Sequence, residues 1–293
     1  MGSLYAKLFF NCPIINLANQ NDMQKITFIG AGNVASHLAK ALAKAGNTIL
    51  EIYSRNLLNA QRLSSYIPNT VATNHLDFAK SKAEIFIVAV KDDALAEVIA
   101  HLILPPNAIL AHTSGTLPLD IIQRNDVVPA VLYPLQTFSP NKEIDFQTLP
   151  FFLEAKSSEV LATIKNLVLT ISPNVYEINS NQRQILHLAA VFSCNFSNFL
   201  FTISKTILEK EQQIASSPLH FGLLRPLITE TVQKAFEISP ENAQTGPAKR
   251  QDKGLIAKHL QLLEELLDED EKDWKKLYQL LSEQIAFYYR QPI

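Results

Sequence analysis

The chain has 293 residues, 47% of them apolar, with 26 Lys and Arg against 28 Asp and Glu and a formal net charge of −2. This is enough apolar material for one large or two ordinary domains, and a near-neutral chain with no basic stripe speaks against nucleic acid as a partner. Cys12 and Cys194 are the only cysteines and fit no metal or disulfide spacing, which points to a reducing, cytoplasmic setting.

Residues 1–22 show no periodic pattern. Leu8-Phe9-Phe10 is too short an apolar run for a targeting signal and is broken by Asn11 and Pro13. Met1-Gly2 hints at myristoylation, but Ala6 stands where Ser or Thr is needed. An unstructured leader, dispensable to the fold, is expected here, since Met23 stands just before the first strand.

A buried strand over 25–30 leads directly into Gly30-Ala31-Gly32-Asn33-Val34-Ala35 and a helix over 33–45 rich in Ala and Leu. Strand, G-x-G turn and helix in that order form the context of a dinucleotide-binding turn. Gly30 permits the tight turn, Gly32 lets the backbone approach a pyrophosphate, and Ala35 allows close packing of helix on strand. The pyrophosphate would rest on the free N–H groups around Ala31, Asn33 and Val34.

The next strand, over 48–53, ends in Ser54-Arg55-Asn56. An NAD site usually carries Asp or Glu here, to accept hydrogen bonds from the ribose. A hydroxyl and a guanidinium suit a 2′-phosphate instead, so NADP is the expected cofactor. Glu51, the nearby rival, lies mid-strand and is out of reach. Taken alone, Arg55 could also be an ordinary surface arginine.

Further strands are expected at 84–90, 108–112, 129–133, 150–155 and 174–178, with helices between several of them, including 92–102 and 157–170. Short apolar runs alternating with helical stretches are the pattern of a parallel sheet. After residue 180 the strand pattern stops, and helices are expected at 182–213, 219–237, 253–267 and 271–288. Gly246-Pro247 interrupts them, and Asp252 can cap the helix that follows. Gln184–Ser204 carries no charge but holds His187, Asn195, Asn198 and three serines, too polar for a lipid-facing span. A central helix buried in a helical domain is expected, with no membrane contact. The acidic run Glu264–Asp273 reads as a solvated helix end and turn. The organisation expected is therefore α/β: a leader at 1–22, a Rossmann-type domain at 23–180 and an all-α domain at 181–293.

The opening strand, G-x-G-N and helix resemble the pyrroline-5-carboxylate reductases and the deazaflavin-dependent NADP reductases. A closer resemblance is to a Rossmann-like family carrying a domain of unknown function, which stands beside those reductases. It rests on His112-Thr113-Ser114-Gly115, Tyr133-Pro134-Leu135-Gln136-Thr137, His187-Leu188-Ala189-Ala190 with Asn195, and Thr245-Gly246-Pro247-Ala248 with Arg250 and Asp252. It covers the chain from Met23 to about residue 265. The resemblance implies an N-terminal NADP-binding domain, a C-terminal helical domain like that of 6-phosphogluconate dehydrogenase, and a homodimer. It supplies no substrate. One departure is Gln251, where glycine is expected between the arginine and the aspartate.

Chemistry belongs at the carboxyl ends of the parallel strands. Val90 can line the dinucleotide with its backbone, and Lys91 is either a phosphate contact or a solvent-facing lysine. In the related reductases the loop at Ser114 lies near the nicotinamide, so Ser114 could hold the carboxamide or the substrate. His112 has two roles open to it, proton donor or orienter of the loop. His187, Val191 and Asn195 stand at i, i+4 and i+8 of one helix. In the β-hydroxyacid dehydrogenases a similar helix presents Lys and Asn one turn apart. His187 here is either a general acid or, with Asn195, a satisfied buried polar residue. Tyr133, Thr245, Gly246 and Arg250 are substrate-binding candidates. Arg250 is either a carboxylate anchor or the partner of Asp252 or Glu241. His37, His75, His101, His220 and His259 form no ligand spacing, so no metal is expected. Trp274 and Phe287-Tyr288-Tyr289 read as packing or dimer contacts.

The expected function is hydride transfer between the nicotinamide of NADP and a small C=O or C=N substrate. An imine reductase of the pyrroline-5-carboxylate type is the rival enzyme. A non-catalytic NADP(H) sensor is the rival from another class, since fold alone does not decide function.

Overall fold

The computed structural model describes residues 23–140, 142–215 and 218–290; the leader expected at 1–22 lies outside them. The chain folds as two compact units that divide between Ala189 and Ala190.

The first unit is an eight-stranded sheet in the order β3-β2-β1-β4-β5-β6-β7-β8. In chain order its elements are β1 Lys25–Ile29, α1 Asn33–Lys44, β2 Thr48–Tyr53, α2 Leu57–Ser64, β3 Val71–Thr73, β4 Ile85–Val88, α3 Asp92–His101, β5 Ala108–His112, β6 Val127–Pro134, β7 Phe151–Ala155, α4 Ser158–Leu169 and β8 Val175–Glu177. The helix α5, Ser180–Ala190, closes the unit. Side chains alternate across each strand, so a central strand feeds both faces. On β4, Ile85 and Ile87 pack with Leu38 and Leu42 of α1 and Ile164 of α4. Phe86 and Val88 pack on the other face with Leu95, Val98 and Ile99 of α3.

The strand order reverses between β1 and β4, and the carboxyl ends of these strands open the crevice in which α/β sheets bind ligands. The expectation of a parallel sheet is corrected at one edge: β7 runs antiparallel to β6, and β8 follows β7. The cause is the connection. Leu135–Pro150 returns without a helix, so the chain re-enters the sheet in the opposite sense, whereas α4 provides a crossover from β7 to β8. The short strand β3 carries no apolar period of its own and follows from the sheet that receives it, while α2 buries Ala60 and Leu63 at i and i+3.

The second unit is helical: a π turn at Val191–Phe196, α6 Ser197–Ala215, α7 Arg225–Ile238, α8 Pro240–Ala243, α9 Lys253–Leu266 and α10 Asp273–Tyr288. Asp252 caps α9 by accepting from Leu255 N at 3.0 Å. The acidic stretch after α9 is solvated and gathered by Lys210, which reaches Asp268 at 2.5 Å and Glu271 at 2.7 Å. Within the unit the His259 ring meets the Tyr278 hydroxyl at 2.7 Å, tying α9 to α10.

The helix expected to be buried is exposed among the described residues. Ser180–Gln213 is long and apolar enough to cross a membrane by length and composition, and none of its most apolar window is buried. Phe192 is 63% exposed, and Ile185, Leu188, Phe196 and Phe199 are exposed beside it. The first turns of the helix, in contrast, are held by polar bonds to the sheet loops, from Ser180, Arg183 and Gln184.

The departure at Gln251 has a structural counterpart. Its φ of 56° is left-handed, a conformation that costs a residue with a Cβ about 1–2 kcal/mol. Its side chain is exposed, so nothing offsets that cost. Gln251→Gly is therefore expected to raise the thermal midpoint by about 2–4 °C, for a gain of about 1 kcal/mol. A melting curve checks it, and an unchanged or lower midpoint contradicts the assignment.

Candidate functional site

At Gly30 the φ of +123° and the carbonyl of Ala89, which a Cβ would run into, both require glycine. Gly32 is different: a Cβ there would meet nothing within 4 Å, so the space above it is open. Gly32 is also the N-cap of α1, which has no side-chain cap and no acid in its first turn. The first N–H groups of α1 thus remain available to an anion. Ala35, fully buried, provides the close helix-to-strand contact. Asn33, at the start of α1, donates through Nδ2 to Phe138 O at 3.1 Å, so the segment after β6 borders this turn.

At the end of β2, Ser54 N donates to Thr73 O at 3.1 Å and Asn56 caps α2 through Leu58 N at 3.1 Å. Arg55 is exposed between them, and α2 has no acid in its first turn. Glu51 is engaged elsewhere, accepting hydrogen bonds from the hydroxyls of Thr27 and Ser81. No carboxylate competes with Arg55 at the strand end. Val90 lies against Gly30, and Lys91 is exposed at the N-cap of α3. The residues present fit a phosphorylated dinucleotide.

The loop after β5 holds two of the candidates, Ser114 and His112, through its backbone. Ser114 Oγ accepts from Thr116 N at 3.1 Å and Leu117 N at 3.0 Å, and meets Thr116 Oγ1 at 3.3 Å. Thr116 in turn donates to the Asp92 carboxylate. The Ser114 hydroxyl is engaged in shaping the turn. His112 is fully buried, and its Nδ1 accepts from Ser114 N at 3.2 Å. Burial, and next the positive charge of Arg183, lower its pKa to about 4, so it is neutral at physiological pH. The Pro118 carbonyl and Asp92 act in the other direction. Its Nδ1 is thus engaged with the loop backbone, while its buried Nε2 has no hydrogen-bond partner among the described residues.

Tyr133 and His187 are brought together. The Tyr133 hydroxyl stands 3.1 Å from His187 Nδ1, at the carboxyl end of β6 beside the β5 loop. Tyr133 is buried, His187 half-buried. Burial raises the pKa of Tyr133, with Asp92 adding to the rise and Arg183 opposing it. The phenol therefore keeps its proton near neutrality. Gly115 makes the pair possible: a Cβ there would lie 2.6 Å from His187 Nδ1 and 2.8 Å from the Tyr133 ring. Sequence reasoning quoted Gly115 only as part of a motif and missed Arg183, Glu154 and Gln184. The burial of a charged residue on a polar helical segment has no signature in one sequence.

The remaining candidates lie in the second unit. Asn195 is exposed in the π turn, whose wider winding departs from the α-helical spacing behind the i, i+4, i+8 stripe. Thr245 and Arg250 are exposed, and Gly246 takes a φ of +101° with open space at its Cβ position. Arg250 makes no ion pair among the described residues, so the bridges to Asp252 or Glu241 are absent there. Among the described residues no group of three His, Cys, Asp or Glu could hold a metal ion.

Comparison with known proteins places this arrangement. Residues 12–134 match the Rossmann-like domain, and residues 149–285 match the domain of unknown function DUF2520. A structure from Bacteroides fragilis, provisionally named an NADP oxidoreductase, is 38% identical, with a TM-score of 0.81 over 91% of this chain and 99% of that one. The chain belongs to the Rossmann-like DUF2520 family. A Thermotoga maritima protein is 22% identical, with a TM-score of 0.62 over 91% of this chain and 100% of its own. A reductive aminase from Aspergillus terreus, solved with NADPH and ethyl-5-oxohexanoate, is 14% identical, with a TM-score of 0.67 over 89% of this chain and 94% of its own. These two show a shared fold. No curated protein matches the chain.

Two expectations follow for this family member. His112 has a folded pKa below its unfolded value, so the unfolded state takes up a proton first as the pH falls. Its contribution is fully present above about pH 6.5 and is lost as the pH drops towards about 4, on the order of 3 kcal/mol in all. His112→Asn, which keeps an acceptor for Ser114 N, should flatten that part of a stability-against-pH curve. An unchanged slope would sink the assignment. Gly115→Ala should push His187 from Tyr133, abolishing their hydrogen bond in a structure of the variant while the G-x-G turn is unaltered; an intact 3.1 Å pair would contradict it.

Proposed function

We propose that the chain is an NADP-dependent oxidoreductase that reduces a small C=O or C=N substrate, with Tyr133 as the proton donor and His187 as its relay. The hydrogen-bonded Tyr133–His187 pair, at the strand ends beside the β5 loop, carries the reading. The NADP(H) complexes of several fold neighbours, among them an imine reductase from Myxococcus stipitatus solved with NADP+, support it as analogy. Gly30, Ala31, Gly32, Asn33 and Val34 would hold the pyrophosphate, Ser54, Arg55 and Asn56 the 2′-phosphate, and Val90 and Lys91 the approach between them.

The nicotinamide, when bound, supplies the hydride that reaches the substrate carbon. Tyr133 gives its hydroxyl proton to the oxygen or nitrogen on which negative charge develops. His187 takes up a proton from solvent at Nε2 and passes the one on Nδ1 to the phenolate, so the phenol is restored and the ring stays neutral overall. The buried face of Tyr133 against Phe152, with ring centroids 6.4 Å apart, fixes the ring and keeps water from one side. Arg250, exposed and unpaired, is proposed as the anchor of a substrate carboxylate. A homodimer in the cytoplasm is proposed as the working form, with a second copy covering the exposed apolar side chains of the Ser180–Gln213 helix.

Two measurements test the reading. NADPH should bind at least about tenfold more tightly than NADH, equivalent to about 1.4 kcal/mol, and Arg55→Ala should remove the preference. Equal affinities by calorimetry, or a variant that keeps its preference, would refute the 2′-phosphate site. NADPH oxidation should be stimulated by one or more members of a panel of keto acids and cyclic imines. Tyr133→Phe and His187→Asn should each cut kcat by about 10²- to 10⁴-fold. Binding without turnover across the whole panel would leave the sensor reading instead.

A further inference from the structure

Helix α5 meets the β5 loop residue by residue. Ser180 Oγ accepts from Leu119 N at 2.9 Å, Arg183 Nη2 donates to Leu117 O at 2.6 Å, and Gln184 Nε2 donates to Thr116 O at 2.7 Å. His187 follows against Gly115. The helix positions rise as i, i+3, i+4 and i+7 while the loop positions fall, so one helix face runs antiparallel to the loop. His187 is the last contact of this series and the one that meets Tyr133.

One member of the series differs from the rest. Arg183 is fully buried, and its guanidinium also donates to the Glu154 carboxylate and to Ser180 Oγ, the latter at 3.3 Å. Glu154 accepts from Ser180 N at 2.9 Å as well. Glu154 stands on β7 opposite Val131 of β6, and Val131 is opposite His112 of β5. Arg183 thus reaches from β7 to the loop after β5, across the strand that carries Tyr133. A planar fork can hold a carboxylate and a carbonyl at once, which a lysine ammonium on a flexible stem does not reproduce.

We propose that Arg183 is the positioning residue of the Tyr133–His187 pair, fixing where α5 meets the β5 loop through Glu154 and the Leu117 carbonyl. This deepens the reading of that pair as proton donor and rests on it. Arg183 also acts at a distance. Its charge opposes the burial that raises Tyr133 and helps to hold His112 neutral, while Asp92 works against it at both.

The test uses the full chain with tyrosine labelled at Cζ, the Tyr133 signal being assigned by Tyr133→Phe. In otherwise unaltered protein, His187→Asn should move the Tyr133 resonance. In the Arg183→Lys, Arg183→Met and Glu154→Gln backgrounds that response should fall by about twofold or more, while the Kd for NADPH stays within about twofold. The titration midpoint of Tyr133 should rise in Arg183→Met and return in Arg183→Lys, which keeps the charge but not the fork. An undiminished response in folded Arg183→Lys and Arg183→Met would overturn the proposal. So would the loss of fold in all three variants, since the guanidinium would then serve the whole unit and not the pair. No response in the starting protein would remove the pair itself. Unchanged NADPH oxidation in Tyr133→Phe and His187→Asn would instead remove only the proton-donor reading.

Discussion

The close approach of β1 and β4 at Gly30 is the constraint on which the first unit depends. With no Cβ there, the turn out of β1 can pass over the Ala89 carbonyl and begin α1 within a few residues. A larger residue would push the turn outward, parting the strand ends or lifting the start of α1. The crevice at the switch point, the open space above Gly32 and the uncapped N-terminus of α1 follow from that contact. The strand ends then line up by register: Val88 of β4 is opposite His112 of β5, and His112 is opposite Val131 of β6. Tyr133 stands two residues further along the same strand, on the same face as Val131.

The polar groups around these strand ends are buried in a way that decides their roles. A buried polar group costs free energy unless it is hydrogen-bonded. Ser114 meets that demand by accepting two loop N–H groups. His112 meets it in part, accepting one at Nδ1 while its Nε2 has no partner among the described residues. Arg183 bonds a carboxylate, a carbonyl and a hydroxyl through its terminal nitrogens, leaving Nε without a partner among the described residues. Such an ion pair is weak evidence for stability, because desolvation offsets much of the attraction. Its geometric effect is firmer, since the fork permits only one orientation of α5 over the loop.

How much of this was legible in the sequence depended on separation along the chain. The Gly30 turn, its flanking elements and the Ser54-Arg55-Asn56 strand end are local features, and the structure places them as read. The family likewise follows from short motifs. The direction of β7 was not legible, because an apolar run reads alike in either sense and only the helix-free Leu135–Pro150 connection sets it. The site was half legible. His187 was singled out, but alongside Asn195 on the same helix, because helical spacing is visible and the approach of Tyr133, 54 residues away, is not. The exposed face of Ser180–Gln213 was misread for a related reason: an apolar helix looks the same whether its cover comes from the same chain or from elsewhere.

Ser114 and Tyr133 show how the same group can be held in different ways. Both carry hydroxyls near the strand ends. The Ser114 oxygen accepts from two backbone N–H groups, and its proton is directed at Thr116, which in turn is tied to Asp92. Moving that proton to a ligand would break this chain of bonds. The Tyr133 hydroxyl has one neighbour, a ring nitrogen able both to accept and to return a proton. Burial disfavours its phenolate, so the acid form is the one held in place. The loop that engages the serine is the same loop whose Gly115 leaves room for the tyrosine and histidine to meet. In the His112–Gly115 motif the polar side chains shape the turn, and the glycine admits the pair.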